Sequence, residues 1–130
     1  MYLAHLSLSK FRNFTRLDWE VPGGLNLLLG SNAQGKTSLL EAIFYLATFE
    51  SFHASSDRQL INQLALREPL AVARIVAEVQ FPEAVPATAL TARKKTRRIE
   101  VSLIQERGQN GSSNFRKEVR IDGVKKKIHE

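Results

Sequence analysis

The stretch Leu25–Leu40 constrains this chain more than any other segment. It reads LNLLLGSNAQGKTSLL: a short apolar run, a loop bracketed by two glycines, and the start of an apolar helix. Residues Gly30 to Thr37 fit the pattern G-x-x-x-x-G-K-S/T, which is typical of a phosphate-binding P-loop between a strand and a helix. The sequence therefore predicts an α/β fold built around this segment.

Each fixed position of the loop has a physical role. Gly30 and Gly35 allow backbone angles that side chains forbid, and they let the main chain approach an anion closely. Successive N–H groups form a nest for phosphate oxygens, and the following helix adds its positive N-terminal end. Lys36 supplies a charge for the β- and γ-phosphates, and the Thr37 hydroxyl is a ligand for Mg²⁺. The predicted phosphate-binding residues are Gly30, Ser31, Asn32, Ala33, Gln34, Gly35, Lys36, Thr37 and Ser38.

The context of the loop agrees with this interpretation. Leu25–Leu29 is too short for a helix and suits a buried strand. Apolar residues recur at helical spacing behind the loop and predict a helix over Lys36–Thr48, with a face formed by Leu39, Leu40, Ala42, Ile43, Leu46 and Ala47. The alternative is a glycine-rich turn with an incidental Lys-Thr pair. The loop alone is compatible with GTPases, kinases and many ATPases.

Composition excludes several classes of protein. The chain has 130 residues, which suits one domain or part of one. No stretch approaches the roughly 18 apolar residues of a membrane span, and Met1–His5 does not begin a signal peptide. The absence of cysteine excludes disulfides and thiolate chemistry and fits a cytoplasmic protein. The three histidines are too scattered to predict a metal site.

Positive charge is concentrated at the end of the chain. Residues 93–130 hold 12 Lys/Arg against 5 Asp/Glu, whereas residues 1–92 hold 7 against 8. A basic region is the electrostatic footprint expected for nucleic acid. The candidate residues for contacts to a DNA backbone are Arg93, Lys94, Lys95, Arg97 and Arg98. A solvated loop that leads into a strand explains the same cluster equally well. Lysines also occur at exposed strand edges, where they prevent aggregation.

The first half of the chain predicts two strands before the P-loop. Leu3–Phe11 and Arg16–Val21 alternate between apolar and polar residues, and a turn at Phe11–Phe14 separates them. Pro22-Gly23-Gly24 is a second turn signal. Two antiparallel strands that feed a buried strand and a P-loop helix favour a mixed sheet.

The second half predicts a short helix and an antiparallel meander. Asp57 is a favoured N-cap for a helix that runs to about Leu66, with Leu60, Ile61 and Leu64 on its apolar face. Strands are expected at 72–81, 99–105, 115–121 and 124–128, with a loop at 82–92 and a tight hairpin at Asp122-Gly123. We therefore expect one lobe over residues 1–130, with the P-loop region in 1–68 and a basic β region in 69–130.

The order of these motifs is similar to the N-terminal part of the RecF family of bacterial DNA replication and repair proteins. The resemblance is carried by FRNF at residues 11–14, PGGLN at 22–26, GSNAQGKTSLLEAI at 30–43 and VRIDG at 119–123. It implies an ABC-type, SMC-like ATPase head that binds ATP with Mg²⁺. It further implies DNA as a partner, an ATP-dependent homodimer, and joint action with RecO and RecR in gap repair. By resemblance, Arg12 and Asn13 lie near the nucleotide phosphates or base, although Arg12 can also be read as an ordinary surface arginine.

Two departures from the family pattern limit the expected activity. The signature motif, the Walker B acidic pair and the switch histidine are not found in these 130 residues, so we expect nucleotide binding without useful hydrolysis, by a fragment or truncated member. The segment after the P-loop helix carries Glu50, His53 and Ser56 where arginines are common in the family. Glu41 is expected to have a solvent or helix-pairing role rather than a catalytic one. The alternatives are a stand-alone module that docks DNA or protein without turnover, or the head of another SMC-like ATPase.

Overall fold

One antiparallel sheet organises the molecule, here described by a computed structural model. The structure describes residues 1–30, 35–49, 56–82 and 94–127. The elements are β1 (Tyr2–Phe11), β2 (Phe14–Glu20), α1 (Lys36–Thr48), two 3₁₀ turns (Asp57–Leu60 and Ala65–Arg67), β3 (Leu70–Pro82), β4 (Lys94–Arg107), β5 (Ser113–Ile121) and β6 (Val124–Lys126). The strand order is β2-β1-β3-β4-β5-β6. In the described ranges, no helix is long and apolar enough to cross a membrane.

The hydrophobic core lies on one face of this sheet. Leu8 stands opposite Leu17 on one side and Ile75 on the other, and Ile75 in turn faces Val101. Because side chains alternate along a strand, these residues share one face. The inner face of α1 covers it with Leu39, Ala42 and Tyr45. Each fully buried leucine or isoleucine contributes about 2 kcal/mol to folding, so this layer holds α1 on the sheet.

The opposite face of the sheet is polar and carries cross-strand ion pairs. Arg74 on β3 lies 2.7 Å from Glu100 on β4, and Arg116 on β5 lies 2.8 Å from Glu106. Both arginines are exposed, so each pair is screened by water and contributes at most about 1 kcal/mol. Their effect is to keep this face solvated, while the helix-bearing face holds the fold together.

Most predicted elements are confirmed. The helix begins and ends at Lys36 and Thr48 as expected, and β3 to β6 form the predicted meander. The Asp122-Gly123 hairpin is also present. Both residues have positive φ, 52° and 83°, as a two-residue turn of type I′ requires.

The predicted buried strand at Leu25–Leu29 is wrong. This segment has no strand assignment, and Leu25, Leu27 and Leu29 are 100%, 80% and 82% exposed. A strand needs a neighbour to pair its backbone, and among the described residues no strand lies beside this segment. All six described strands are antiparallel, so the parallel pairing that a mixed sheet implies is not formed among them.

The predicted helix from Asp57 to about Leu66 is also wrong. Two separate 3₁₀ turns replace it, and Ser56, not Asp57, is the N-cap of the first. Ile61 between them is extended because it bridges Phe11 of β1, while Leu64 is exposed. Pairing with β1 therefore overrides the local helical preference. The predicted loop at 82–92 is wrong at Pro82, which is the last residue of β3. Residues 83–92 of that loop, together with Glu50 and His53, lie outside the described residues.

The basic cluster belongs to β4 and does not precede it. The predicted strand starts near Ile99, but β4 begins at Lys94 because β3 extends to Pro82 and the two pair along their full length. Glu78 stands opposite Arg98 in this ladder. A cross-strand acid therefore stabilises a basic segment that reads as a loop from the sequence alone.

Candidate nucleotide-binding site

The end of the P-loop packs directly on the turn between β1 and β2. Gly35 is the N-cap of α1 and has φ 91°, a left-handed conformation that favours glycine. A Cβ at this position would lie 2.9 Å from the Phe14 ring and 3.1 Å from the Asn13 side-chain amide. Only glycine fits both the angle and the space. Ser31, Asn32, Ala33 and Gln34 lie outside the described residues.

The N-terminus of α1 is suited to an anion. Among the described residues, no side chain caps this helix, and its first turn contains no acidic residue. The first backbone N–H groups of a helix lack partners within the helix, and they carry its positive end. Lys36 Nζ donates to the Gly30 carbonyl oxygen, and this hydrogen bond joins the two ends of the P-loop segment. These donors fit a phosphate group.

Thr37 is exposed in the first turn of α1. Its hydroxyl is a hard oxygen donor, and Mg²⁺ prefers one or two such protein ligands together with phosphates and waters. Within the described ranges, no group of three or more His, Cys, Asp or Glu could hold a metal ion. The residues therefore fit a magnesium ion held jointly with a phosphate ligand, and not a closed protein site.

Arg12 forms a bidentate ion pair with Glu41 of α1. Nε of Arg12 donates to Oε1 of Glu41 at 2.8 Å, and a terminal nitrogen donates to Oε2 at 3.0 Å. Glu41 is only 2% exposed, so its predicted solvent role is wrong, and Arg12, which pairs with it, is not an ordinary surface arginine. The signal in the sequence was that Glu41 is the one charged residue between Thr37 and Thr48.

Asn62 fixes the backbone of the same turn, a role that no motif in the sequence indicates. Its side-chain amide donates to the Arg12 carbonyl at 2.6 Å, and its backbone N–H donates to Lys10 at 2.8 Å. The Arg12 N–H donates to the Leu60 carbonyl at 2.8 Å. A buried polar side chain needs such partners, which makes Asn62 a structural link between the turn and the 3₁₀ region.

A polar cleft of about 680 Å³ opens between the turn, α1 and the 3₁₀ region. It brings together three of the predicted site residues on two separate elements. Its wall includes Arg12, Asn13, Ser38, Gln59, Asn62 and Arg67. The structure thus places the predicted Arg12 and Asn13 beside the start of the P-loop helix.

The members of the basic cluster whose side chains the structure describes do not form a single surface. Arg97 and Arg98 are adjacent on β4 and therefore point to opposite faces of the sheet. Arg97 lies 2.6 Å from Asp122, and Arg98 lies 3.3 Å from Glu100. Hydrogen bonds from the Arg98 backbone N–H and the Arg97 side chain lower the pKa of Asp122. Lys95 is exposed, and Arg93 lies outside the described residues.

A second polar cluster joins α1, the first 3₁₀ turn and β5. The hydroxyl of buried Tyr45 donates to Asp57 at 3.0 Å, and Lys117 lies 2.8 Å from the same carboxylate oxygen. Burial, and then the charge of Asp57, raise the pKa of Tyr45. The phenol therefore remains a hydrogen-bond donor over the ordinary pH range.

The fold and this site define the class of protein. The AAA domain family matches residues 5–130, and the chain belongs to this family. Within it, the chain is similar to the DNA replication and repair protein RecF. It is 51% identical to RecF of Chloroflexus aurantiacus over 82 aligned residues. This alignment covers 62% of this chain and 21% of the relative. It is 38% identical to RecF of Pediococcus pentosaceus over 106 aligned residues. This alignment covers 82% of this chain and 27% of the relative.

Solved structures give the same result. The recombination mediator protein RecF-ATP in the RecFOR pathway is 28% identical, with a TM-score of 0.65 over 98% of this chain and 28% of that one. These matches confirm the predicted resemblance to the N-terminal part of RecF and the predicted P-loop, ABC-ATPase-like fold class. The chain spans between about a sixth and about a quarter of the length of the relatives it matches.

Proposed function

We propose that this chain is the ATP-binding part of a RecF-like DNA replication and repair protein. The observation that carries the proposal is the N-terminus of α1, which no side chain in the described ranges caps, which follows a P-loop sequence and which begins with Lys36. A helix start of this kind presents backbone N–H groups and a lysine to the same anion. The likeness to a RecF-ATP structure supports ATP as that ligand.

Each residue has a stated task in this proposal. Lys36 exchanges its bond to the Gly30 carbonyl for phosphate oxygens, and the N–H groups of Gly30 to Thr37 surround them. Thr37 would hold Mg²⁺, which neutralises phosphate charge when bound. Arg12 and Asn13 border the ligand from the β1–β2 turn, where Asn13 already contacts Gly35.

The wider activities are proposals for the whole protein. In a complete RecF-like protein, this segment would act with DNA, RecO and RecR, within an ATP-dependent homodimer. For the present chain we propose nucleotide binding alone. The reason is that the chain spans only about a sixth to a quarter of the RecF proteins that it matches.

Calorimetric titration with ATP and Mg²⁺ tests the proposal. The Lys36→Ala variant should bind ATP at least tenfold more weakly than the unmodified chain, because it removes the charge that meets the phosphates. Lys125→Ala is the matched control, since Lys125 pairs with Glu118 on β5 and lies away from the P-loop. Equal affinity of the unmodified chain and Lys36→Ala, or no affinity in either, rejects the proposal.

A further inference from the structure

Arg12 occupies a strained backbone position. Its φ is 52°, in the left-handed region that arginine rarely adopts. Such a conformation is unfavourable for a residue with a side chain and persists only where surrounding contacts impose it. Here the Leu60 carbonyl and the Asn62 side chain hold the N–H and C=O of Arg12. The backbone of this arginine is therefore fixed before any ligand arrives.

Glu41 fixes the side chain of Arg12, as Leu60 and Asn62 fix its backbone. A carboxylate that is 2% exposed requires a cation and good geometry, and Arg12 supplies both through two hydrogen bonds of 2.8 and 3.0 Å. A planar guanidinium held by two parallel bonds has one orientation. The pair uses two of the five N–H donors of Arg12, and the side chain keeps an exposed side.

That exposed side borders the polar cleft beside the P-loop helix. Arg12 is 27% exposed and lines the cleft together with Asn13 and Ser38. Ser38 and Glu41 are three residues apart on α1 and therefore share one face of the helix. The helix that presents Lys36 thus also sets the position of Arg12.

We propose that Glu41 is a positioning residue for the nucleotide site. It holds the guanidinium of Arg12 so that the remaining donors meet the phosphate groups of a nucleoside triphosphate. The inference rests on the proposed ATP-binding function and deepens it. A role as a general base does not fit, because both carboxylate oxygens accept from Arg12 and almost no surface of Glu41 is open to water.

A double-mutant cycle on ATP affinity tests the inference. Glu41→Gln keeps the size of the side chain and removes its charge, and we expect an affinity loss of about tenfold. Arg12→Ala should lose at least as much. The double variant should bind no more weakly than Arg12→Ala, since the proposed effect of Glu41 on ATP affinity is transmitted by Arg12. Ile75→Val in the buried sheet core controls for lowered stability without contact to the site.

The outcomes separate the two proposals. If the unmodified chain does not bind ATP, the proposed function fails and the inference falls with it. If the unmodified chain binds ATP and Glu41→Gln binds equally well, only the positioning role is overturned. Additive losses in the double variant, or an equal loss in Ile75→Val, would also overturn it.

A measurement on the unmodified chain covers the case in which Glu41→Gln does not fold. The Nε–H signal of Arg12 in an NMR spectrum should exchange slowly with water and should shift when ATP is added. Rapid exchange, or no shift at saturating ATP, contradicts the inference.

Discussion

The ammonium of Lys117 lies 2.8 Å from the carboxylate of Asp57, which joins β5 to the first 3₁₀ turn. Lys117 pairs with Leu103 in the sheet and so projects from the face that the helix covers. The same ammonium donates to the Phe49 carbonyl at 3.2 Å. One side chain thereby holds the C-terminal end of α1 and the start of the 3₁₀ region together.

Replacing this lysine should destabilise the fold. In Lys117→Met, Asp57 and the Phe49 carbonyl lose a partner in a partly buried place, and we expect the free energy of unfolding to fall by about 2 kcal/mol. Urea unfolding followed by circular dichroism measures it. Lys125→Met removes an exposed pair and should cost no more than about 0.5 kcal/mol. Equal effects of the two variants would contradict the role of Lys117.

The contact between Gly35 and the β1–β2 turn gives a second prediction. Gly35→Ala combines a left-handed backbone with a clash against Phe14 and Asn13, and it should destabilise the chain by about 3 kcal/mol. Gly111→Ala is the matched control, because Gly111 has φ 73° and open space around its Cβ position. It should cost only about 1 kcal/mol. If the two variants unfold at the same urea concentration, the packing on Phe14 contributes nothing.

The third prediction concerns pH and His5 on the polar face of the sheet. Both ring nitrogens lie within hydrogen-bonding distance of acids on β2, Glu20 at 2.7 Å and Asp18, and Glu78 of β3 stands opposite in the ladder. Hydrogen bonds to Glu20 and then Asp18 raise the pKa of His5 above 6.5. A neutral imidazole has one N–H and satisfies only one of these acceptors.

The sign of the effect follows from linkage. Because the pKa of His5 is higher in the folded state, its stabilising contribution is complete below pH 6.5 and is lost as the pH rises through the folded-state pKa. The urea midpoint of the unmodified chain should therefore fall as the pH rises from 6.5 through the folded-state pKa of His5. The midpoint of His5→Gln should fall less over the same pH range. An NMR titration that places the pKa of His5 at or below 6.5 would refute the prediction.

The basic segment gives a fourth prediction. Arg97 and Arg98 are engaged by acids in the structure, whereas Lys95 is exposed. If residues 93–98 contact a DNA backbone, Lys94→Gln with Lys95→Gln should weaken duplex binding more than Arg97→Gln with Arg98→Gln. The slope of log affinity against log salt should fall by roughly one per lost phosphate contact. Fluorescence anisotropy at several salt concentrations measures both. A salt-independent affinity, or unchanged binding after Lys94→Gln with Lys95→Gln, rejects the contact.

Local sequence signals predicted the elements that depend on local interactions. The helix Lys36–Thr48 and the hairpin at Asp122-Gly123 were both predicted, because helical periodicity and turn chemistry act over a few residues. The packing of Asn13 on Gly35 is a different case. The P-loop pattern requires a glycine there for its backbone, but it does not indicate which side chain lies against it.

Features that depend on distant partners could not be read in the same way. Leu25–Leu29 has the composition of a buried strand, but burial depends on a neighbour and not on composition. Ile61 leaves a helical pattern because Phe11 pairs with it across the fold. The Arg12–Glu41 pair joins residues that are far apart in the chain, so neither residue alone indicates the other.

The strand order also bears on how the chain reaches this structure. Among the described strands, β1 and β3 are the only sheet neighbours that are not consecutive in the sequence. The β1–β3 ladder, in which Ser9 pairs with Arg74, therefore closes the chain segment that contains α1. Forming this pairing carries the entropic cost of long-range loop closure. Such non-local closure slows folding, whereas the hairpins on either side form from nearby residues. Substitutions in the β1–β3 seam should therefore slow refolding more than equally destabilising substitutions in the β5–β6 hairpin.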